Sequence, residues 1–367
     1  MIPKRVEAFE QKRDIRMRPS AIGVRLISIS AAAAILGSCS GESRLQLAPA
    51  ASSQQNTVRS RLSGAATEGL VVGHPDRGRS WMAPDAATHA LLYVSDYSYN
   101  EVFVYSYPQA KLVGTLTGLS NPDGICTDKS GNVWIVNNSA GNAVEYKHGG
   151  TTPIATLNIG SANAVSCSVD PTTGNLAATV LDTYGSGQGY VAIFTHAKGS
   201  PKYYMDSEMY AVYFCGYDDK GNLFVDGDQN GRSTAFQFAE IPRGKKTFTN
   251  ITLKGATINF PGNVQWDGKH VAVGDQLYQD YPELGAIYQT TGAGGKIIGK
   301  TVLNDYGDIE GFWVEGKTVI GPDFCINGCT QGSSVGFFKY PAGGKPTKTF
   351  AGGFKSYSQP AGAAVSQ

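Results

Sequence analysis

Charge is scarce in this chain, and what there is cancels. Asp, Glu, Lys and Arg make up 17% of its 367 residues, with 31 basic side chains against 30 acidic ones. That is well below the usual share of about a quarter, and the balance does not favour nucleic acid as a partner. Histidine is also sparse, at five residues. No Ser-centred nucleophile elbow and no Walker-type phosphate loop occurs. Beyond the first forty residues no run is apolar enough to cross a bilayer as a helix. What the chain has instead is glycine, 46 residues of it, and 19 tyrosines. Low charge with abundant Gly and Tyr suits an all-β protein with many tight turns.

A short phrase recurs six times after residue 90: a Gly-containing turn, a small apolar run, then in most copies Asp or Asn. The copies include Leu92 to Asp96, Val133 to Asn137, Leu176 to Val180, Leu223 to Asp226, Val271 to Asp275 and Val319 to Asp323. Registered at residues 92, 133, 176, 223, 270 and 318, they are 41, 43, 47, 47 and 48 residues apart. A strand-built period in the forties predicts a propeller blade. Within one unit the order is Asn121-Pro122-Asp123-Gly124-Ile125-Cys126-Thr127-Asp128, the turn Lys129 to Asn132, the apolar phrase, Ala143 to Tyr146, and Ile154 to Leu157. That is four short strands, here a to d, separated by turn chemistry.

This layout resembles the NHL-type six-bladed propellers, in which a Pro-Asp-Gly-apolar strand precedes a Gly-Asn-apolar-Asp strand. The resemblance covers about three quarters of the chain, is clear in the first two units and blurred in the later, longer ones. The expected fold class is therefore all-β, a six-bladed β-propeller of four-stranded antiparallel blades. The last residues, Gln359 to Ser366, align with Asn121 to Thr127 as an innermost strand with nothing after it. The first phrase lacks a strand before it, so the C-terminal strand is expected to join the N-terminal strands and close the ring. Ser80 to Ala87 is the weaker alternative for that innermost strand, because it lacks an apolar run.

Three domains are expected: 1–39, 40–80 and 81–367. Seven basic residues precede the apolar stretch from Leu26 to Leu36, which ends in Leu36-Gly37-Ser38-Cys39. This resembles the bacterial lipobox, and implies an exported protein lipidated at Cys39 and held in the cell envelope, at the outer membrane by the Ser that follows. Met17 is an alternative start. Residues 40–80, rich in Ser, Ala, Gln and Gly, read as a flexible tether.

Connectivity sorts the loops. The d–a and b–c loops share one face, where propellers usually bind ligands; the a–b and c–d turns share the other. The expected ligand face carries Asp96, Tyr97, Tyr99, Asp123, Asp182, Asp226, Asp228, Asp275, Tyr278, Asp308, Glu310 and Asp323, while Lys129, Lys147, Lys198, Lys220, Lys269 and Lys317 lie opposite. Asx residues that end strand b also serve simply by accepting N–H bonds in the next turn. Asp226, Asp228 and Asn230 form a weak candidate for Ca²⁺, without a Glu at the far end of the loop. Resemblance to the gluconolactonase-like hydrolases implies a metal held by a Glu, an Asn and an Asp, with Glu310, Asn163 and Asp226 on suitable loops. His148, His196 and His270 fall on the lysine side, away from the acidic loops. Cys325 and Cys329 are expected to form a local disulfide in one b–c loop. Cys126, Cys167 and Cys215 are expected as buried free thiols on innermost strands. The preferred reading is a monomeric binding or scaffolding module for a protein, peptide or glycan, with no assigned catalytic residue. The alternative is a Ca²⁺-dependent lactonase-like hydrolase.

Overall fold

The computed structural model describes residues 78–182, 187–229, 235–277, 284–324 and 333–367. Blade I opens with β1 (Trp81–Met82), β2 (Leu91–Asp96), β3 (Glu101–Ser106) and β4 (Leu112–Leu116). Blade II holds β5 (Pro122–Thr127), β6 (Val133–Asn137), β7 (Asn142–Tyr146) and β8 (Pro153–Asn158). Blade III holds β9 (Ala164–Val169), β10 (Leu176–Asp182), β11 (Gln188–Phe194) and β12 (Lys202–Tyr204). Blade IV holds β13 (Ala211–Tyr217), β14 (Leu223–Asp228), β15 (Phe236–Ile241) and β16 (Thr249–Asn250). Blade V holds β17 (Pro261–Trp266), β18 (Val271–Asp275), β19 (Leu284–Thr290) and β20 (Ile297–Asn304). Blade VI holds β21 (Trp313–Glu315), β22 (Thr318–Pro322), β23 (Val335–Lys339) and β24 (Lys348–Phe350), and the chain ends in β25 (Pro360–Ser366).

All strand pairs within the blades are antiparallel, and β25 pairs with β2 inside blade I, Leu92 opposite Val365. The ring is closed by the two ends of the repeat region, as expected. Ser95 fastens this seam: its Oγ donates to Asp123 O at 2.6 Å and accepts from Gly362 N at 2.7 Å. It thereby ties the innermost strands of blades I and II. The stretch around Ser80 to Ala87 takes a different place from the one weighed for it. Trp81 and Met82 pair with Thr115 and Gly114 on the outer edge of β4, making blade I five-stranded. Lacking an apolar run, this piece can cover an edge but cannot fill the centre.

The core explains why the repeated phrase is apolar throughout instead of alternating. Each blade buries both faces, one against each neighbour. In β2, Leu91 and Tyr93 pack with Ile125, Ile135 and Val144 of blade II, while Leu92 and Val94 pack with Ile320 and Phe337 of blade VI. The buried apolar residues gather in six such clusters, each lying chiefly between two adjacent blades.

At the centre the innermost strands come to backbone contact. A Cβ on Gly124 would lie 2.5 Å from Val165 O of blade III, and one on Gly362 would collide with Asp123 O of blade II. Only glycine allows that approach. The same convergence corrects one expectation. Cys126 and Cys167, expected as free thiols, form a disulfide between β5 and β9, with Cα atoms 5.8 Å apart. Facing positions on neighbouring innermost strands are close enough there to be bridged. Cys215 on β13 is free and buried, as expected. Cys325 and Cys329 lie outside the described residues.

Candidate carboxylate site at the channel mouth

The Asx at or near the end of strand b has a recurrent structural task, though mostly on a different partner from the one expected. Asp96 Oδ1 accepts from Tyr99 N in the next turn at 3.3 Å, but also from Gln359 N, just ahead of β25, at 3.1 Å. Asn137 Oδ1 accepts from Ser120 N at 3.2 Å, and Asp275 Oδ1 from Asn259 N and Phe260 N at 3.2 and 3.1 Å. Asp226 Oδ1 accepts from Phe214 N at 2.9 Å. Each therefore clamps its own blade where the chain enters or runs along strand a. Strand a shifts register against strand b in each of these blades, between Val94 and Asp96, Pro122 and Ile125, Val212 and Cys215, and Gly262 and Val264. In blade IV the shift leaves Phe214 N–H without a ladder partner and Asp226 takes it. In the others the Asx takes N–H groups outside the ladder, mostly just ahead of strand a.

Asp323 breaks the pattern. It stands one residue past β22, is fully buried (0% exposed), and among the described residues neither carboxylate oxygen has a hydrogen-bond partner. Its own backbone N–H donates to Ser334 O. The connector into blade VI bonds to other segments: Gly311 N donates to Ala361 O, Ala363 N to Gly311 O, and Phe324 N to Asp308 O.

Asp308 and Glu310 sit on that same connector, and Asp123 lies on β5. Glu310 is pushed well above the usual carboxylate range by burial first, then by Asp123 and Asp308. Burial, and after it Asp308, pushes Asp323 up to about 8. Asp123 is likewise pushed up to about 8 by burial, against the Asn138 Nδ2–H donated to its Oδ2 at 3.4 Å. Like charges crowded in a desolvated place favour the protonated forms. At neutral pH the raised Asp123 and Asp323 favour their neutral acid forms, able to donate a hydrogen bond as well as accept one.

Of the expected ligand-face residues, the structure brings Asp123, Asp308, Glu310 and Asp323 together as one electrostatic group. Tyr97 borders it, its ring edge-on to Phe324 with centroids 5.9 Å apart. Tyr99 is tied down instead, its hydroxyl donating to Ser356 O at 2.6 Å and its ring 4.6 Å from Lys355 Nζ. Asp96, Asp226 and Asp275 serve as clamps. Asp228 ends β14 and Asp182 ends β10. Tyr278 and Asn230 lie outside the described residues. Asn138 and Ser95 escaped the sequence reading; the only signal for Asn138 was a doubled Asn where other copies end in a single Asx.

The calcium reading meets a geometric obstacle. Asp226 and Asp228 belong to a paired strand instead of a loop, and Asp226 Oδ1 is taken by Phe214 N–H. Glu310 interacts with Asp123 and Asp308. Among the described residues no three His, Cys, Asp or Glu side chains are gathered as a metal would need them. Asn230, the third residue of the calcium set, lies outside the described residues.

No family model matches this chain, and no curated protein matches it. Solved structures do. One, the crystal structure of a nidogen/laminin complex, is 12% identical with a TM-score of 0.58, covering 76% of this chain and 98% of that one. Others are hydrazine synthase of Kuenenia stuttgartiensis, 14% identical with a TM-score of 0.48, covering 74% of this chain and 80% of that one, and the structure of U3-55K, 11% identical with a TM-score of 0.45, covering 68% and 75%. At this identity the likeness is one of fold: the chain is a six-bladed β-propeller closed by its last strand.

Proposed function

We propose that this protein is a binding module of the cell envelope, exported and lipid-anchored through Cys39. Residues 40–80 tether a propeller of NHL type whose d–a and b–c loops receive a protein, peptide or glycan. The observation that carries the reading is Asp323. A buried carboxyl without a hydrogen-bond partner is costly to keep, and it stands beside Asp308 at the face where propeller ligands dock. A ligand amide, hydroxyl or ammonium group would satisfy it. The nidogen/laminin neighbour, itself a protein complex, is in keeping with a protein partner. The hydrolase alternative gains nothing from the described residues, whose carboxylates do not form a metal-binding set.

The test is site-specific photo-crosslinking in intact cells, with a photoreactive residue at Tyr97 on the proposed ligand face and another at Lys317 on the opposite one. Protein adducts from position 97 and none from position 317 are expected. Equal adducts from both, or adducts from 317 alone, would refute the assigned face. Cys39→Ser should release the protein from the membrane fraction; unchanged membrane partition would remove the anchor from the proposal.

A further inference from the structure

The lysine-bearing face holds a second site that the reading above leaves unused. Between blades III and IV lies a groove of about 310 Å³, walled by Tyr204 and Tyr217 and lined by Lys202, Arg243, Lys245 and Lys246. Three of those cations come from one turn. Pro242 fixes φ at its first position, Gly244 takes the left-handed conformation (φ 76°), and Lys245 N closes the turn on Pro242 O at 2.8 Å. Arg243 is held from below, its backbone N–H donating to Asn222 Oδ1 at 3.0 Å and its Nη1 to Lys220 O at 3.4 Å. The charges are therefore presented by a shaped turn.

What sets this groove apart is its surplus of cations, four against the single carboxylate of Asp170. The three ion pairs among the described residues are His270–Asp267, Lys345–Asp305 and Lys355–Glu101. None involves a groove cation. The one carboxylate in the lining, Asp170, is engaged by Thr172 N, Thr172 Oγ1 and Thr173 Oγ1. The next seam, between blades IV and V, provides the contrast: there Lys220 and Lys269 face Asp218 and Glu240 around a cavity of about 370 Å³. One seam is balanced and the other is not, in a chain whose total charge nearly cancels.

We infer that the groove between blades III and IV binds a saccharide bearing phosphate or sulfate groups. A guanidinium fork and several ammonium groups match tetrahedral oxyanions. The two tyrosines offer flat apolar walls with hydroxyl tips, as a sugar ring requires. The size of the groove suits a small ligand better than a protein surface.

The test is titration calorimetry of the full chain with a heparin-derived sulfated tetrasaccharide, with inorganic sulfate as the reference ligand. Saturable binding that weakens as salt rises is expected. The triple variant Arg243→Ala/Lys245→Ala/Lys246→Ala should lose affinity by about tenfold or more, the loss expected for several charge-assisted contacts. Lys269→Ala, in the balanced seam, should bind like the parent. The substituted side chains are exposed, and an unchanged melting temperature confirms that the variants are folded. Absence of binding to the parent, equal losses in the triple variant and Lys269→Ala, or sulfate bound as tightly as the saccharide would each overturn the inference. None of these outcomes bears on the crosslinking test of the opposite face.

Discussion

Blades I and VI share a seam, and both place an Asp at the end of strand b. In blade I one oxygen of that Asp is employed, while Oδ2 has no hydrogen-bond partner among the described residues. Asp96 gathers the N–H groups of Tyr99 and Gln359, and Gln359 leads straight into the closing strand β25. In blade VI Asp323 has no partner on either oxygen among the described residues. The same side chain, in the same place of the repeat, thus stabilises one blade and burdens the next. The difference does not lie in the residue. It lies in which backbone N–H groups come within reach: Gln359 N reaches Asp96, and among the described residues none reaches Asp323.

The most severe way to break this comparison is to remove the strand that follows Gln359, the donor to Asp96. A chain ending at residue 359 loses β25, the innermost strand of blade I, and with it the partners of Ser95, Leu92 and Gly311. Such a chain should show no cooperative unfolding transition by circular dichroism; a sharp transition near that of the parent would mean that the seam is not where the ring is held. A smaller effect is expected one seam away, where closure is covalent. Reducing or replacing the Cys126–Cys167 bridge, which spans 41 residues, should cost about 2–4 kcal/mol in denaturant titration. The loss should appear with Cys126→Ser and Cys167→Ser alike, and a cost below about 0.5 kcal/mol would speak against a bond there.

How far these features could be read beforehand depends on whether their cause is local. The six apolar phrases and their Gly turns are local, so blade number, strand order and the role of Gln359 to Ser366 were all legible. The clamp was legible in kind: an Asx ending a strand accepts backbone N–H bonds. Its main partner was not, because it lies on the chain entering the neighbouring strand, whose approach no single-strand pattern reveals. The disulfide was missed for a related reason. Cys126 and Cys167 lie one repeat apart, and only the close approach of the innermost strands brings them together. Asp323 looked like any other copy; whether backbone N–H groups come within its reach depends on the path of the chain entering blade VI, which no residue there signals. The division of the loops into an acidic and a basic face followed from connectivity alone, yet the cation-rich groove did not, because Lys202 and Arg243 come from different blades.

Next in size is the direct contrast between the two carboxylates. Asp96→Ala leaves two backbone N–H groups without their acceptor in a buried place, and should cost about 1–3 kcal/mol. Asp323→Ala removes a group that had no partner, and should be neutral to within about 1 kcal/mol or stabilising. Chemical denaturation of both variants checks this. Equal losses would mean that Asp323 has a structural task after all, and would withdraw it from the ligand face.

The finest probe is pH, because only one of the two readings of Asp323 gives stability a particular slope. Burial and neighbouring carboxylates raise both Asp123 and Asp323 to about 8 in the folded chain, against about 4 when unfolded. The folded state therefore binds more protons than the unfolded state between those values, and stability falls as pH rises through that window. Their contribution is fully present below about pH 4, declines up to about pH 8, and is flat above it. Asp323→Asn removes one of the two titrating groups, so its melting temperature should gain on the parent at about pH 9 and match it at about pH 4. A parent whose stability climbs over that range would show these carboxyls to be ionised and served by donors in the folded state. Blade VI would then be no different from blade I, and the case for a ligand at Asp323 would go with the contrast.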